Sequence, residues 1–323
     1  MHNINENSRM AYFGTKPWHG LGTELASPAT AKEAILAAKL DYNIELQPIF
    51  LQNRNQIPDR MATVRVDTQN LLGIVTKKYK IIQNVDAFEF FDSVVGEGKA
   101  IYHTTGALGL GERIWILAKL PKNLIIKKDE IEKYLLLTNS HDGKSALKMF
   151  FTPIRVVCQN TLILSLMNAS SGISIRHKGN IKNKVEEAQR LLGIASLFYS
   201  DFEKIAQRFT EIKIDNKNKV EDYFNQVLEI DKDDPETSTT SLNQRGDLLA
   251  LFENGKGNDR PEIKHTLWTA YNAVTEWTDH HRTIRNIDKD KSLRLENIWF
   301  GTGAKLKERA YDMALAFAGI NKN

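Results

Sequence analysis

The feature that most limits what this chain can fold into is a change of hydrophobic period near residue 180. Before it, apolar residues tend to fall at every second position. In Met61–Thr68, for example, Ala62, Val64 and Val66 alternate with Thr63, Arg65 and Asp67. That is the period of a half-buried strand. From Ile181 onward, Val185, Ala188, Leu192, Ala195, Phe198, Phe202, Ile205 and Phe209 recur every three or four residues, one face of a long amphipathic helix. The chain is therefore expected to be α+β: an antiparallel, hairpin-rich sheet packed with helices, then a mostly helical C-terminal half. The long helix is expected to pack on that sheet or on another subunit. The boundaries read as an N-terminal loop and helix over 1–42, a β-rich core with the long helix over 43–212, and a helical region over 213–323.

Local signals place the elements. Ala29–Leu40 reads as a helix, with Thr30 as N-cap and Glu33 completing a capping box. Strands are expected at 43–51, 61–68, 71–76 and 80–83, and Asn84 is expected to cap a helix carrying Val85, Phe88, Phe90 and Phe91. Further strands are expected at 100–108, 113–120, 133–140 and 145–152. The last two are joined by His141-Asp142-Gly143-Lys144, a turn pattern that favours a hairpin. Pro153 is expected to end that strand and to start a buried helix over 154–167, before a short strand at 173–177. Helices are expected near 217–229, 241–254, 263–279 and 303–318. Residues 231–240 read as a linker and 254–261 as a flexible loop.

Composition narrows the class. Hydrophobic residues are 41% and charged residues 26%, enough to bury a core without cofactors or disulfides. The single cysteine, Cys158, permits no intramolecular disulfide, which fits a reducing compartment. The first twenty residues are polar, and no apolar run is long enough to span a bilayer. A cytoplasmic protein with no membrane partner is expected.

Motifs for catalysis are mostly missing. No Gly-x4-Gly-Lys-Ser/Thr loop occurs. Gly106, Gly109 and Gly111 have the wrong order for a dinucleotide loop and lie between strands, so a wide hairpin turn is the simpler expectation. His-Glu-x-x-His is absent, and one cysteine rules out a cysteine-rich zinc site. Asp279-His280-His281 and His141-Asp142 are the remaining ligand or hydrolase candidates. Adjacent histidines on a helix diverge, however, and Asp-Gly in a turn is explained by backbone geometry. No metal, no cofactor and no catalytic residue are expected.

Charge is where the chain is distinctive. Between Asp142 and Glu186 there is no acidic residue but seven basic ones, leaving 37 basic against 40 acidic residues elsewhere. A local cationic excess on a near-neutral chain is what a polyanion site requires. The candidate contacts are Lys144 and Lys148, with Phe150 on the same strand face as Lys148, where a ring could stack on bases while the cation meets phosphate. Arg155 is expected near a helix N-terminus, followed by Gln159 and Asn160. Arg176, His177 and Lys178 form a cluster that Lys182 extends onto the long helix. Lys77, Lys78 and Tyr79 repeat the basic–aromatic pattern in a turn. The alternative for Phe150 is a core position in a sheet covered on both sides, and for the cations an ordinary solvated surface.

These segments also carry a family resemblance. Tyr12–Gly22 (YFGTKPWHGLG), Gly73, Tyr79, Gln83-Asn84 and Phe88–Phe91 resemble the phage/plasmid-like protein family. So do Leu136–Leu147, Phe151–Thr161, Ser174–Asn180, Trp268–Glu276 and Trp299-Phe300-Gly301. The resemblance spans nearly the whole chain. It implies a gene carried by phages, plasmids or integrated elements, and it brings no catalytic residues with it. The order of elements is also similar, at fold level only, to ring-forming single-strand annealing proteins of the eukaryotic recombination-mediator superfamily.

The expected function is binding and annealing or protection of single-stranded DNA, with RNA as the alternative nucleic acid, by a homo-oligomeric ring or filament. The alternative is a non-catalytic host-interaction protein that presents Trp268, Tyr271, Trp277, Trp299 and Phe300. A metal-dependent hydrolase using His141, Asp142 and Asp279 is a third reading. The Trp18-His19-Gly20-Leu21-Gly22 loop reads as a packing element or a plug for a neighbouring subunit.

Overall fold

A computed structural model describes residues 10–13, 23–25, 30–95, 101–145, 147–162, 165–166, 181–231, 238–285 and 292–321. Apolar alternation builds a large mixed sheet from β1 (Met10–Phe13), β2 (Thr23–Leu25), β6 (Ile101–Leu108), β7 (Arg113–Lys119), β8 (Leu124–Ile126), β9 (Asp129–Ser140), β10 (Lys148–Arg155), β11 (Asn160–Thr161) and β12 (Ser165–Leu166). Its order is β11-β10-β9-β7-β6-β1-β2, with β12 also on β10 and β8 on β9. All pairings are antiparallel except β1–β2. A second, antiparallel sheet joins β3 (Ile44–Phe50), β4 (Gln56–Arg65) and β5 (Leu71–Thr76).

The central strands bury both of their faces. Ile114, Ile116, Leu135, Leu137, Met149 and Phe151 join the main core with α2 (Asn84–Val95), α3 (Ile181–Glu211) and α6 (Leu267–Glu276). On the other face, Trp115, Leu117, Tyr134, Leu136 and Phe150 are covered by Leu295, Ile298 and Trp299 of α7 (Ser292–Phe300). This is why the strand Lys-Met-Phe-Phe is apolar on successive residues: neither face meets water. The long helix settles on the sheet. Phe198 stacks on Phe151 with ring centres 5.0 Å apart. The Tyr199 hydroxyl accepts the Tyr134 N–H at 2.8 Å and donates to its carbonyl at 2.5 Å. The remaining helices are α1 (Ala31–Ala37), α4 (Lys217–Leu228), α5 (Thr239–Asn254) and α8 (Thr302–Phe317), with a π-helical turn at Trp277–His281. One apolar cluster runs from Ala11 to Leu315 and so draws on all parts of the chain. Among the described residues, no helix is long and apolar enough to cross a membrane.

Several expectations are corrected. Residues 80–83 are not a strand, because the Gln83 amide itself bonds both the N–H (3.0 Å) and the carbonyl (2.8 Å) of Ile44, as a strand partner would. Asn84 is the first residue of α2 and spends its amide on the Leu40 carbonyl and on His141. Pro153 does not end β10. It falls between the residues that pair with β12 (Phe150, Phe151) and those that pair with β11 (Ile154, Arg155), a gap where its missing N–H is harmless. The helix expected at 154–167 is instead the end of β10, a turn at 156–159 and the two short strands β11 and β12. The helix expected from 263 begins at Leu267, and α7 was not expected at all. The expected strand at 173–177, the linker core at 232–237 and the Trp18–Gly22 loop lie outside the described residues.

Candidate nucleic-acid interface

Two basic segments more than sixty residues apart in sequence meet at one end of the molecule. The hairpin turn after β9 lies against β5. A Cβ added to Gly143 would lie 2.8 Å from Cγ1 of Val75, and one on Gly73 would lie 2.5 Å from the Asp142 Cα. Thr63 on β4 locks the crossing by donating to the His141 carbonyl at 2.7 Å. The Tyr79 hydroxyl donates to the Ser140 carbonyl at 3.0 Å, tying the Lys77–Lys80 turn to the root of the same hairpin. Burial and the nearby Asp142 carboxylate raise the Tyr79 pKa, so the phenol stays a neutral donor.

The cations at this end are exposed: Lys77, Lys78, Lys80, Lys144 and Lys148. Among the described residues, only Lys144 has a carboxylate within ion-pair distance, Asp142 at 3.8 Å, and the Lys144 side chain is still 81% exposed. Asp142 is otherwise occupied by Ser140 and by the Lys144 N–H at 2.9 Å, the geometry of an Asx turn. Asp59, whose carbonyl accepts the Lys77 N–H, also borders the group.

The sequence reading missed part of this surface. Arg60 pairs with Thr76 beside the lysine turn and is exposed. The β3–β4 hairpin continues past β5 as an arm, its tip carrying exposed Phe50 and Arg54. The alternation of β3 gives no hint that its last aromatic residue faces water; only the length of β4 relative to β5 reveals it.

Three expected contacts are corrected. Arg155 is at the end of β10 rather than a helix N-terminus, and it is fully buried. Its Nε bonds Asp129 at 2.5 Å, and its other nitrogens reach the Lys256 and Gly257 carbonyls and Asn258 Oδ1 at 2.9–3.1 Å. This fork also explains why the loop near 254–261 is clamped and not free, with Glu276 accepting the Lys256 N–H at 3.0 Å. Asn160 is fully buried. The amide orientation that satisfies its neighbours donates to His280 Nε2 at 2.8 Å and the Cys158 carbonyl at 3.2 Å, and accepts the Glu276 N–H at 3.2 Å. Phe150 lies 6.1 Å, centre to centre, from Phe300 and belongs to the second core. Gln159 is half-buried in the turn at left-handed φ 56°. Arg176, His177 and Lys178 lie outside the described residues. Lys182 lies on α3, where only its backbone is described.

Of the five aromatic residues read as a docking surface, Trp268, Tyr271, Trp277 and Trp299 are buried in the core, and Phe300 is half-buried against Phe150. His141 and Asp142 sit in the hairpin turn, whereas Asp279 is buried elsewhere against Lys307 at 2.7 Å and the Thr161 N–H at 2.8 Å. Among the described residues, no group of three or more His, Cys, Asp or Glu is arranged to hold a metal ion. Burial pushes the Cys158 thiol up to about 12, which leaves it inert at neutral pH.

Residues 71–299 match a family described as Domain of unknown function (DUF932). That span is well over half of the chain. The chain belongs to the DUF932 family. No curated protein and no solved structure matches it. The family span of this DUF932 protein includes the lysine turn, the hairpin and the Arg155 network. It leaves out β3 and β4, and with them the arm bearing Phe50.

Proposed function

We propose that this DUF932 protein binds single-stranded nucleic acid along the basic end built from Lys77, Lys78, Lys80, Lys144 and Lys148, flanked by Arg60 and the Phe50–Arg54 arm. The observation that carries this reading is the docking of the hairpin turn on β5, which joins two separate cationic segments into one exposed surface. Exposed lysines meet phosphates as point charges, and an exposed ring on a neighbouring arm suits stacking on an unpaired base. Annealing of complementary strands, assembly as a ring or filament, a cytoplasmic setting and carriage by phages or plasmids extend the same reading; the resemblance to phage/plasmid-like proteins supports the last, and the fold-level similarity to single-strand annealing proteins the first two.

The test is fluorescence anisotropy with a labelled single-stranded oligonucleotide and its duplex. The native chain is compared with the variant Lys77→Ala/Lys78→Ala/Lys144→Ala/Lys148→Ala. The expected result is tighter binding of the single strand, weakened roughly tenfold or more in the variant. Equal affinity in the two proteins, or no binding by the native chain, overturns the proposal.

A further inference from the structure

A second feature is built on α5 and the π-helical turn, with none of the residues of the basic end in its lining. Here the first half of α5 faces the exit of the π-helical turn across a cleft of about 340 Å³. Asn243, Gln244 and Asp247 come from α5, and Trp277, His281 and Arg282 from the facing segment. The π-helical turn matters to this geometry. Its wider backbone ring shifts the residues that follow by one position relative to an α-helix and so re-aims Arg282.

Arg282 is the anomaly. The deeply buried Arg65 and Arg155 are saturated, Arg65 by Asp67 and the Leu110 carbonyl, Arg155 by Asp129 and three further acceptors, whereas Arg282 is half-buried. Arg282 has no carboxylate within ion-pair distance among the described residues, and its Nη1 is buried without a hydrogen-bond partner. Desolvation lowers its pKa. The Trp277 ring, with its centre 5.8 Å from the guanidinium carbon, gives a cation–π contact at the outer limit of useful range and leaves Nη1 unsatisfied. Asp247, on the opposite wall, accepts the Trp277 indole N–H at 3.1 Å. His281 is turned toward Glu276 at 3.9 Å.

We infer that this cleft binds a small molecule through an oxyanion, a carboxylate or phosphate group seated on Arg282, with the Asn243 and Gln244 amides bonding the rest of the ligand. A guanidinium with a buried free donor is matched by a planar or tetrahedral oxyanion, which accepts from two of its nitrogens at once. The site is distinct from the basic end, so either can fail without the other.

The test is isothermal titration of the full chain with inorganic phosphate, adenosine monophosphate, glutarate and, as the neutral control, adenosine. At least one of the three anions is expected to bind, and which of them does so separates a phosphate ligand from a carboxylate one. Arg282→Gln should weaken that binding about tenfold or more without lowering the melting temperature of the free protein. Asp247→Asn, which keeps the indole acceptor and removes a negative charge, should tighten it severalfold. Should Arg282→Gln fail to fold, Gln244→Ala on the half-buried helix face gives the same reading with a smaller loss. Absence of binding by all three anions, adenosine binding as well as adenosine monophosphate, or unchanged affinity in Arg282→Gln would overturn the inference.

Discussion

His141 shows how a single side chain ties the hairpin turn to α2, while its backbone carbonyl takes the bond from Thr63 of the second sheet. It is fully buried, its Nε2 lies 2.8 Å from Asn84 Oδ1, and its Nδ1 has no partner. Because Asn84 gives its own N–H to Leu40, its oxygen faces the ring, and the neutral imidazole carries its proton on Nε2. Burial pushes the His141 pKa down to about 4. The unfolded chain therefore binds more protons than the folded one between the ordinary histidine value, near 6.5, and about 4. The stability contributed by the neutral ring is complete above the upper value and lost as pH falls through that window. The difference across it is roughly 3 kcal/mol at most. Urea denaturation of the native chain and of His141→Gln from pH 7 to pH 4 checks this; the variant is expected to lose less stability by about that amount, and parallel pH profiles would contradict it. Little of this was legible beforehand. His141-Asp142-Gly143 announced a turn through backbone chemistry, but that the ring would be the buried residue of the turn depends on Asn84, fifty-seven residues earlier. Arg155 shows the same gap: a basic residue in an acid-free run reads as a surface cation, while its partner Asp129 lies on the neighbouring strand.

At the level of elements, the docking of the hairpin turn on β5 rests on an absent side chain. A methyl group at Gly73 would sit 2.5 Å from the Asp142 Cα, which is backbone and cannot swing aside. Gly73→Ala is expected to cost roughly 1–3 kcal/mol and to lower oligonucleotide affinity as well, because it pushes the lysine turn away from the hairpin. Gly246→Ala on α5, where a Cβ meets open space, serves as the control and should hold or raise the melting temperature. Melting curves and anisotropy on the two variants decide it; a Gly73→Ala protein as stable as the native one would show that the contact is not tight. Elements announced by local chemistry were readable: the α1 capping box, with Thr30 and Glu33 bonded reciprocally, and β5 at its observed bounds. Those set by distant partners were not. Pro153 looked like a terminator because its neighbours on β11 and β12 were invisible, and α7 was hidden because Leu293 and Leu295 alternate as in a strand.

For the molecule as a whole, the main consequence of the fold is where it leaves room for a ligand. With helices over both faces of the large sheet, the central strands offer no open face, and recognition moves to the ends of the strands. One end gathers the exposed lysines and the Phe50 arm; the other holds the saturated Arg155 fork and the cleft of Arg282. The most direct test of the basic end is the salt dependence of oligonucleotide binding between about 50 and 200 mM salt. Lys77, Lys78, Lys144 and Lys148 on phosphates contribute about −3 to the slope of the logarithm of the binding constant against the logarithm of salt, at about −0.7 per contact, and Lys80 and Arg60 add to it. The variant lacking those four lysines should give a slope shallower by about 3. A native slope already near zero, or equal slopes for the two proteins, would contradict the assignment of this surface to nucleic acid.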